Sequence, residues 1–91
     1  MTSVELEIRN RSGLHARPAA TFARAAAGYA SIVTLQNLTG GSATANAKSL
    51  LGVLVCGVKQ GDRVRVEAHG PDEGAAIEAL GELVASGLGE A

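Results

Sequence analysis

Val4, Leu6 and Ile8 alternate with Glu5, Glu7 and Arg9, the period of a strand with one face buried. Asn10 to Gly13 follow with turn-forming residues. From Ala16 to Ala27 the period becomes helical: Ala19, Phe22, Ala23 and Ala26 fall on one stripe, and Gly28 stands where a C′ glycine would end the helix. A second strand is expected from Ala30 to Gln36, with Val33 and Leu35 inward. Asn37 to Ser42 reverse the chain, and Thr44 to Lys48 form a weaker strand with Ala45 and Ala47 inward. Ser49 is a good N-cap for a short helix from Leu50 to Cys56, which Gly57 can end. Lys59 to Asp62 form a turn, and Val64, Val66 and Ala68 alternate with Arg63, Arg65 and Glu67 in the cleanest strand pattern of the chain. His69 to Asp72 break that strand, with Asp72 as a cap candidate. The last helix carries Ile77, Leu80 and Val84, with Leu83 broadening its apolar face. Gly87 to Ala91 are expected to be a frayed tail.

The order is therefore βαββαβα. Strands of period two give a sheet with one wet face, and three helices would cover the other. The expected architecture is an α+β two-layer open-faced sandwich on a four-stranded antiparallel sheet, with residues 1–91 as a single domain.

Composition narrows the function. At 91 residues the chain can bury one modest core, and with 46% apolar residues but only Phe22 and Tyr29 aromatic, that core must be aliphatic. A net charge of −1 offers no basic field for nucleic acid. A lone cysteine, Cys56, excludes an internal disulfide and any multi-cysteine metal site, and its apolar neighbours make it a small buried residue. No segment reaches membrane-spanning length, and the N-terminus enters a strand pattern without a signal-peptide core, so a cytoplasmic location without membrane insertion is expected.

The candidate chemistry lies in Ser12-Gly13-Leu14-His15-Ala16-Arg17-Pro18-Ala19-Ala20. His15 stands where a helix begins, and Pro18 fits the first turn, where an N–H is not needed. The free N–H groups and the dipole of that helix end favour an anion. Arg17 adds a full charge with planar donors suited to phosphate. A histidine at a turn is most often only a polar loop residue. Imidazole is a mediocre cap, however, and the conjunction of turn glycine, histidine, arginine and proline is more specific than any member. Together they suit a transient phosphohistidine. No nucleotide loop, carboxylate cluster or metal-ligand set accompanies His15, so no cofactor is expected. His69 lacks the arginine and the helix and is expected to be a surface turn residue.

Gly13 to Ala20, G-L-H-A-R-P-A-A, resembles the active-site signature of HPr, the histidine-containing phosphocarrier of the bacterial phosphoenolpyruvate-dependent sugar phosphotransferase system. Lys48-Ser49-Leu50-Leu51-Gly52-Val53-Leu54 resembles the regulatory-serine segment of the same family. The likeness spans essentially the whole chain and implies the same fold. It implies a non-enzymatic carrier, phosphorylated on Nδ1 of His15 by phospho-enzyme I, with Arg17 stabilising the phosphate and IIA domains of sugar permeases as acceptors. Ser12 has two readings, as a hydrogen-bond partner of the imidazole or as a turn residue. Ser49 has two as well, as a cap or as a serine phosphorylated by an HPr kinase/phosphorylase and read by a transcriptional regulator. Leucines on a helix are core by default, yet Leu50 to Val55 is apolar nearly all round. Val53 and Cys56 suit the core by spacing, and the resemblance implies partner contacts for Leu50, Leu51 and Leu54. Leu38 to Ser42 make the reversal longer than is usual in the family. A monomer is expected. The alternatives are a paralogue serving a nitrogen-related or dihydroxyacetone-kinase phosphorelay, or a regulatory binding module that carries no phosphate.

Overall fold

Seven elements follow one another in the computed structural model, which describes residues 1–89: β1 (Thr2–Glu7), α1 (Ala16–Ala27), β2 (Ile32–Asn37), β3 (Ala45–Asn46), α2 (Leu50–Val55), β4 (Arg63–His69) and α3 (Glu73–Ala85). The strands form one sheet in the order β1-β4-β2-β3, and every neighbouring pair is antiparallel. Val66 is opposite Val4 on one side and Leu35 on the other, so the alternation seen in three separate segments is brought into register on one face.

The helices cover that face. α1 buries Pro18, Ala19, Phe22, Ala23 and Ala26, the stripe expected from its period. α3 buries Ala76, Ile77, Leu80 and Val84, while the short α2 buries only Val53. Phe22 is fully buried among Ile8, Leu14, Val33, Leu35, Val64 and Val66, in the aliphatic core the composition required. Cys56 is buried, with its thiol toward the Leu35 carbonyl. The other sheet face carries charge: Arg65 Nη2 bonds Glu5 Oε2 at 2.9 Å across the β1–β4 pair, an exposed pair worth about 1 kcal/mol or less.

Several local expectations are corrected. β2 starts at Ile32 rather than Ala30, because Ala30 N–H, Ser31 N–H and Ser31 Oγ all donate to the Asp72 carboxylate. Asp72 therefore makes no side-chain cap on α3; it clamps the entry to β2 instead. The hydrogen bonds from Ser31 Oγ, and from the Ala30 and Ser31 amides, hold its carboxyl below the usual carboxylate value. The third strand shrinks to Ala45–Asn46, although Ala47 stays fully buried and donates its N–H to the Val33 carbonyl at 2.9 Å. α2 ends at Val55 with Cys56 as its C-cap, and Gly57 follows in the left-handed region. Gly28 ends α1 at φ −73°, right-handed and not left-handed. The expected frayed tail is docked: Leu88 is 1% exposed, and its N–H bonds the Leu83 carbonyl at 3.0 Å. Residues 90 and 91 of that tail lie outside the described part.

Candidate functional site

The turn before α1 is held on three sides. Asn10 Nδ2 donates to the Gly13 carbonyl at 2.8 Å, and Gly13 N–H returns a bond to the Asn10 carbonyl at 3.1 Å. Leu14 N–H donates to the Val58 carbonyl at 3.1 Å, and the Leu14 side chain is fully buried. Gly13 has φ +59°, and a β-carbon there would stand 2.8 Å from the Cα of Lys59. Only glycine meets both demands. The turn thus rests on segment 58–62, which is itself stitched to the end of β1. Ile8 N–H donates to the Asp62 carbonyl at 2.9 Å, Gly61 N–H donates to the Ile8 carbonyl at 2.6 Å, and Gln60 Nε2 donates to the Arg9 carbonyl at 3.0 Å.

On that base His15 becomes the N-cap of α1, extended at φ −126° and ψ 160°, half-buried, and with no side-chain capping bond. The imidazole is left for other chemistry. Ala16 follows at φ +52°, a left-handed conformation that costs an alanine about 1–2 kcal/mol. Such strain is held only where the surroundings impose it. The backbone N–H groups of Ala16 and Arg17 belong to the first turn, which has no intrahelical acceptors. Pro18 has no N–H to lose and is buried under the helix. Arg17 is exposed and, among the described residues, has no ion-pair partner, and the first turn of α1 contains no acidic side chain. The result is a half-buried imidazole at a helix N-terminus, with an exposed arginine two residues further along, an arrangement suited to an anion on the ring.

α2 packs against α1. Lys48 Nζ donates to the Tyr29 carbonyl just past α1, at 2.6 Å. Ser49 caps α2 as expected, its Oγ accepting the Gly52 N–H at 3.1 Å. Of the three leucines singled out by sequence, Leu50 is 45% and Leu51 71% exposed, while Leu54 is half-buried against the core. The further apolar residue on the open side is Val55, 72% exposed. Within the apolar run Leu50 to Val55 the sequence does not single it out as a contact residue, although its position four residues after Leu51 is a signal. No local pattern marks Ala16 or the 58–62 base. His69 is exposed at the end of β4, opposite Ile32 and away from this helix end. Among the described residues no group of three or more His, Cys, Asp or Glu side chains is placed to hold a metal, and no helix is long and apolar enough to cross a membrane.

Known proteins resemble this chain in sequence and in fold. Residues 2–86 match the family model described as the PTS HPr component phosphorylation site. The chain is 48% identical over 83 residues to a multiphosphoryl transfer protein of Haemophilus influenzae, an alignment covering 91% of this chain and 17% of that protein. It spans about a fifth of the length of the curated relatives it matches. Among solved structures, an HPr (HPr-C-His) of Thermoanaerobacter tengcongensis superposes with a TM-score of 0.93 at 42% identity, covering 100% of this chain and 99% of that one. An HPr dimer from the same organism gives a TM-score of 0.76 at 42% identity, covering 99% and 100%. With the family match running through nearly every element described above, this chain belongs to the HPr family of the phosphotransferase system, whose members are phosphocarriers and not catalysts.

Proposed function

We propose that His15 is the residue that carries the phosphoryl group in this chain. The observation that supports it best is the N-cap position of an imidazole that makes no capping bond, within a segment inside the family match. In the proposed step a neutral ring nitrogen, Nδ1 by family resemblance, attacks the phosphorus of a phosphohistidine on enzyme I. One P–N bond forms as the donor's P–N bond breaks. The reverse sequence delivers the group to a IIA domain. The phosphorylated side chain carries about −1.5 to −2 charge, by analogy with other phosphorylated residues. The Ala16 and Arg17 amides and the Arg17 guanidinium oppose that charge. A helix terminus contributes only about 0.3–1 kcal/mol, up to ~2 when partly buried, a modest hold that suits a group meant to be passed on.

Leu50, Leu51 and Val55 then form the apolar part of the surface that meets enzyme I and the IIA domains, with Arg17 steering an acidic partner. Leu54 contributes from a half-buried position. Ser49 is the proposed regulatory site for a kinase of the HPr kinase/phosphorylase type. A phosphate there would place negative charge beside Leu50 and Leu51, where a partner must remove water. A transcriptional regulator that reads phospho-Ser49 belongs to the same proposal, as does a cytoplasmic site of action.

The reading is tested by incubating the protein with phosphoenolpyruvate and enzyme I. Acid-labile phosphoryl uptake is expected in the wild type, is lost in His15→Ala with the fold retained, and is reduced in Arg17→Ala. In Ser49→Asp, uptake should fall without loss of melting temperature. Normal uptake by His15→Ala would remove the carrier assignment, and normal uptake by Ser49→Asp would remove the regulatory one.

A further inference from the structure

Asn37 ends β2 and is 2% exposed, a polar amide that is almost fully buried. Its groups are committed to three separate segments. Nδ2 donates to the Cys56 carbonyl at the end of α2 and to Asp62 Oδ2, each at 3.1 Å. Oδ1 accepts the Gly40 N–H at 2.9 Å. The same Asp62 oxygen also accepts the Lys59 N–H at 3.0 Å. One buried amide and one carboxylate oxygen therefore fix segment 58–62 relative to the end of α2. That segment is the base of the His15 turn, through the Val58 carbonyl that takes the Leu14 N–H and through Lys59 against Gly13.

Backbone bonds alone already close the 58–62 turn, since Asp62 N–H bonds the Lys59 carbonyl at 3.0 Å. What the side-chain pair adds is direction. A hydrogen bond is directional and weakens steeply as its angle closes, whereas apolar burial is non-directional. Phosphoryl transfer depends on such placement. We propose that Asn37 and Asp62 are a positioning pair for phosphoryl transfer at His15. They hold the 58–62 base, and with it the imidazole at the mouth of α1, in fixed relation to the end of the helix that exposes Leu50, Leu51 and Val55. The inference rests on the assignment of His15 as carrier.

The test compares wild type, Asp62→Ala, Asp62→Asn and Asn37→Leu in steady-state transfer from phospho-enzyme I, each well below its own melting temperature, with His15→Ala alongside. NMR of the His15 ring is read in the unphosphorylated proteins. Asp62→Ala and Asn37→Leu are expected to lower kcat about ten- to a hundredfold, the cost of a small misplacement of reacting groups, with KM unchanged because the docking side chains are untouched. The His15 ring resonances should move in both. Asp62→Asn, whose side-chain carbonyl can accept both bonds, should restore most of kcat. If Asp62→Ala and Asn37→Leu keep wild-type kcat and lose only melting temperature, the pair is merely structural. An Asp62→Asn variant as slow as Asp62→Ala would also overturn the proposal, since the hydrogen bonds would not be what matters. Uptake by His15→Ala would sink the carrier assignment first, and this inference with it.

Discussion

Gly13 and Lys59 are packed so closely that a β-carbon on Gly13 would stand 2.8 Å from the Lys59 Cα. This contact seats the His15 turn on the loop between α2 and β4. Gly13→Ala should therefore lose about 1–2 kcal/mol to the left-handed backbone and a further ~1–3 kcal/mol to the clash. It should also slow phosphoryl uptake at temperatures where it is still folded. Urea unfolding and an uptake assay check both halves. A Gly13→Ala variant of wild-type stability would mean the turn does not rest on Lys59.

Ala16 gives the opposite expectation. Glycine inside a helix normally costs about 1 kcal/mol relative to alanine. At φ +52° that penalty is offset by release of the strained conformation. Ala16→Gly should be neutral or stabilising, whereas Ala20→Gly, inside the same helix, should lose about 1 kcal/mol. Equal losses in the two variants would contradict a left-handed Ala16.

Glu73 carries the clearest pH signature. Its carboxylate accepts the Met1 amino group at 2.7 Å, the Thr2 hydroxyl at 2.6 Å and the Gly70 N–H at 3.3 Å. These partners, the amino group first, lower its pKa from an ordinary 4.5 to about 2. A pKa depressed by folding contributes stability that is fully present above the ordinary value and lost as pH falls through the folded one. Stability should thus decline from about pH 4.5 toward 2, with Asp72 adding a loss of the same sign. Urea midpoints against pH should show a flatter curve for Glu73→Gln in that window. A variant that tracks the wild type throughout would show that the contacts do not favour the ionised carboxylate.

The exposed side of α2 separates docking from packing. Leu51, 71% exposed, and Val55, 72% exposed, should each tolerate alanine within about 0.5 kcal/mol, while raising the KM for phospho-enzyme I. Leu54→Ala should cost more stability, approaching the ~2–5 kcal/mol of a buried leucine, because Leu54 packs against the core. If Leu51→Ala and Val55→Ala leave KM unchanged, the docking surface lies elsewhere.

The turn before α1 was legible in the sequence because its parts are neighbours along the chain. Gly13, His15 and Pro18 announce a turn and a helix start within a few residues, and the apolar stripe of α1 needed only its own period. What escaped depends on partners far away in sequence. Asp72 looks like a helix cap when read locally, but its carboxylate is taken by Ser31, 41 positions distant. The tail looks mobile from its glycines, but Leu88 finds space in the core. Asn37 reads as a turn residue, and nothing local shows that its amide reaches both Cys56 and Asp62. The left-handed Ala16 violates its own residue preference, so only the assembled turn reveals it.

One imidazole is proposed to carry the phosphoryl group. The most direct measurement is to charge the wild-type protein with phosphoenolpyruvate and enzyme I and locate the modification by mass spectrometry under non-acidic fragmentation that spares P–N bonds. A single phosphoryl group is expected, on His15, discharged on addition of a IIA domain. A phosphoryl group on His69, or a protein that remains unmodified while enzyme I is charged, would contradict it.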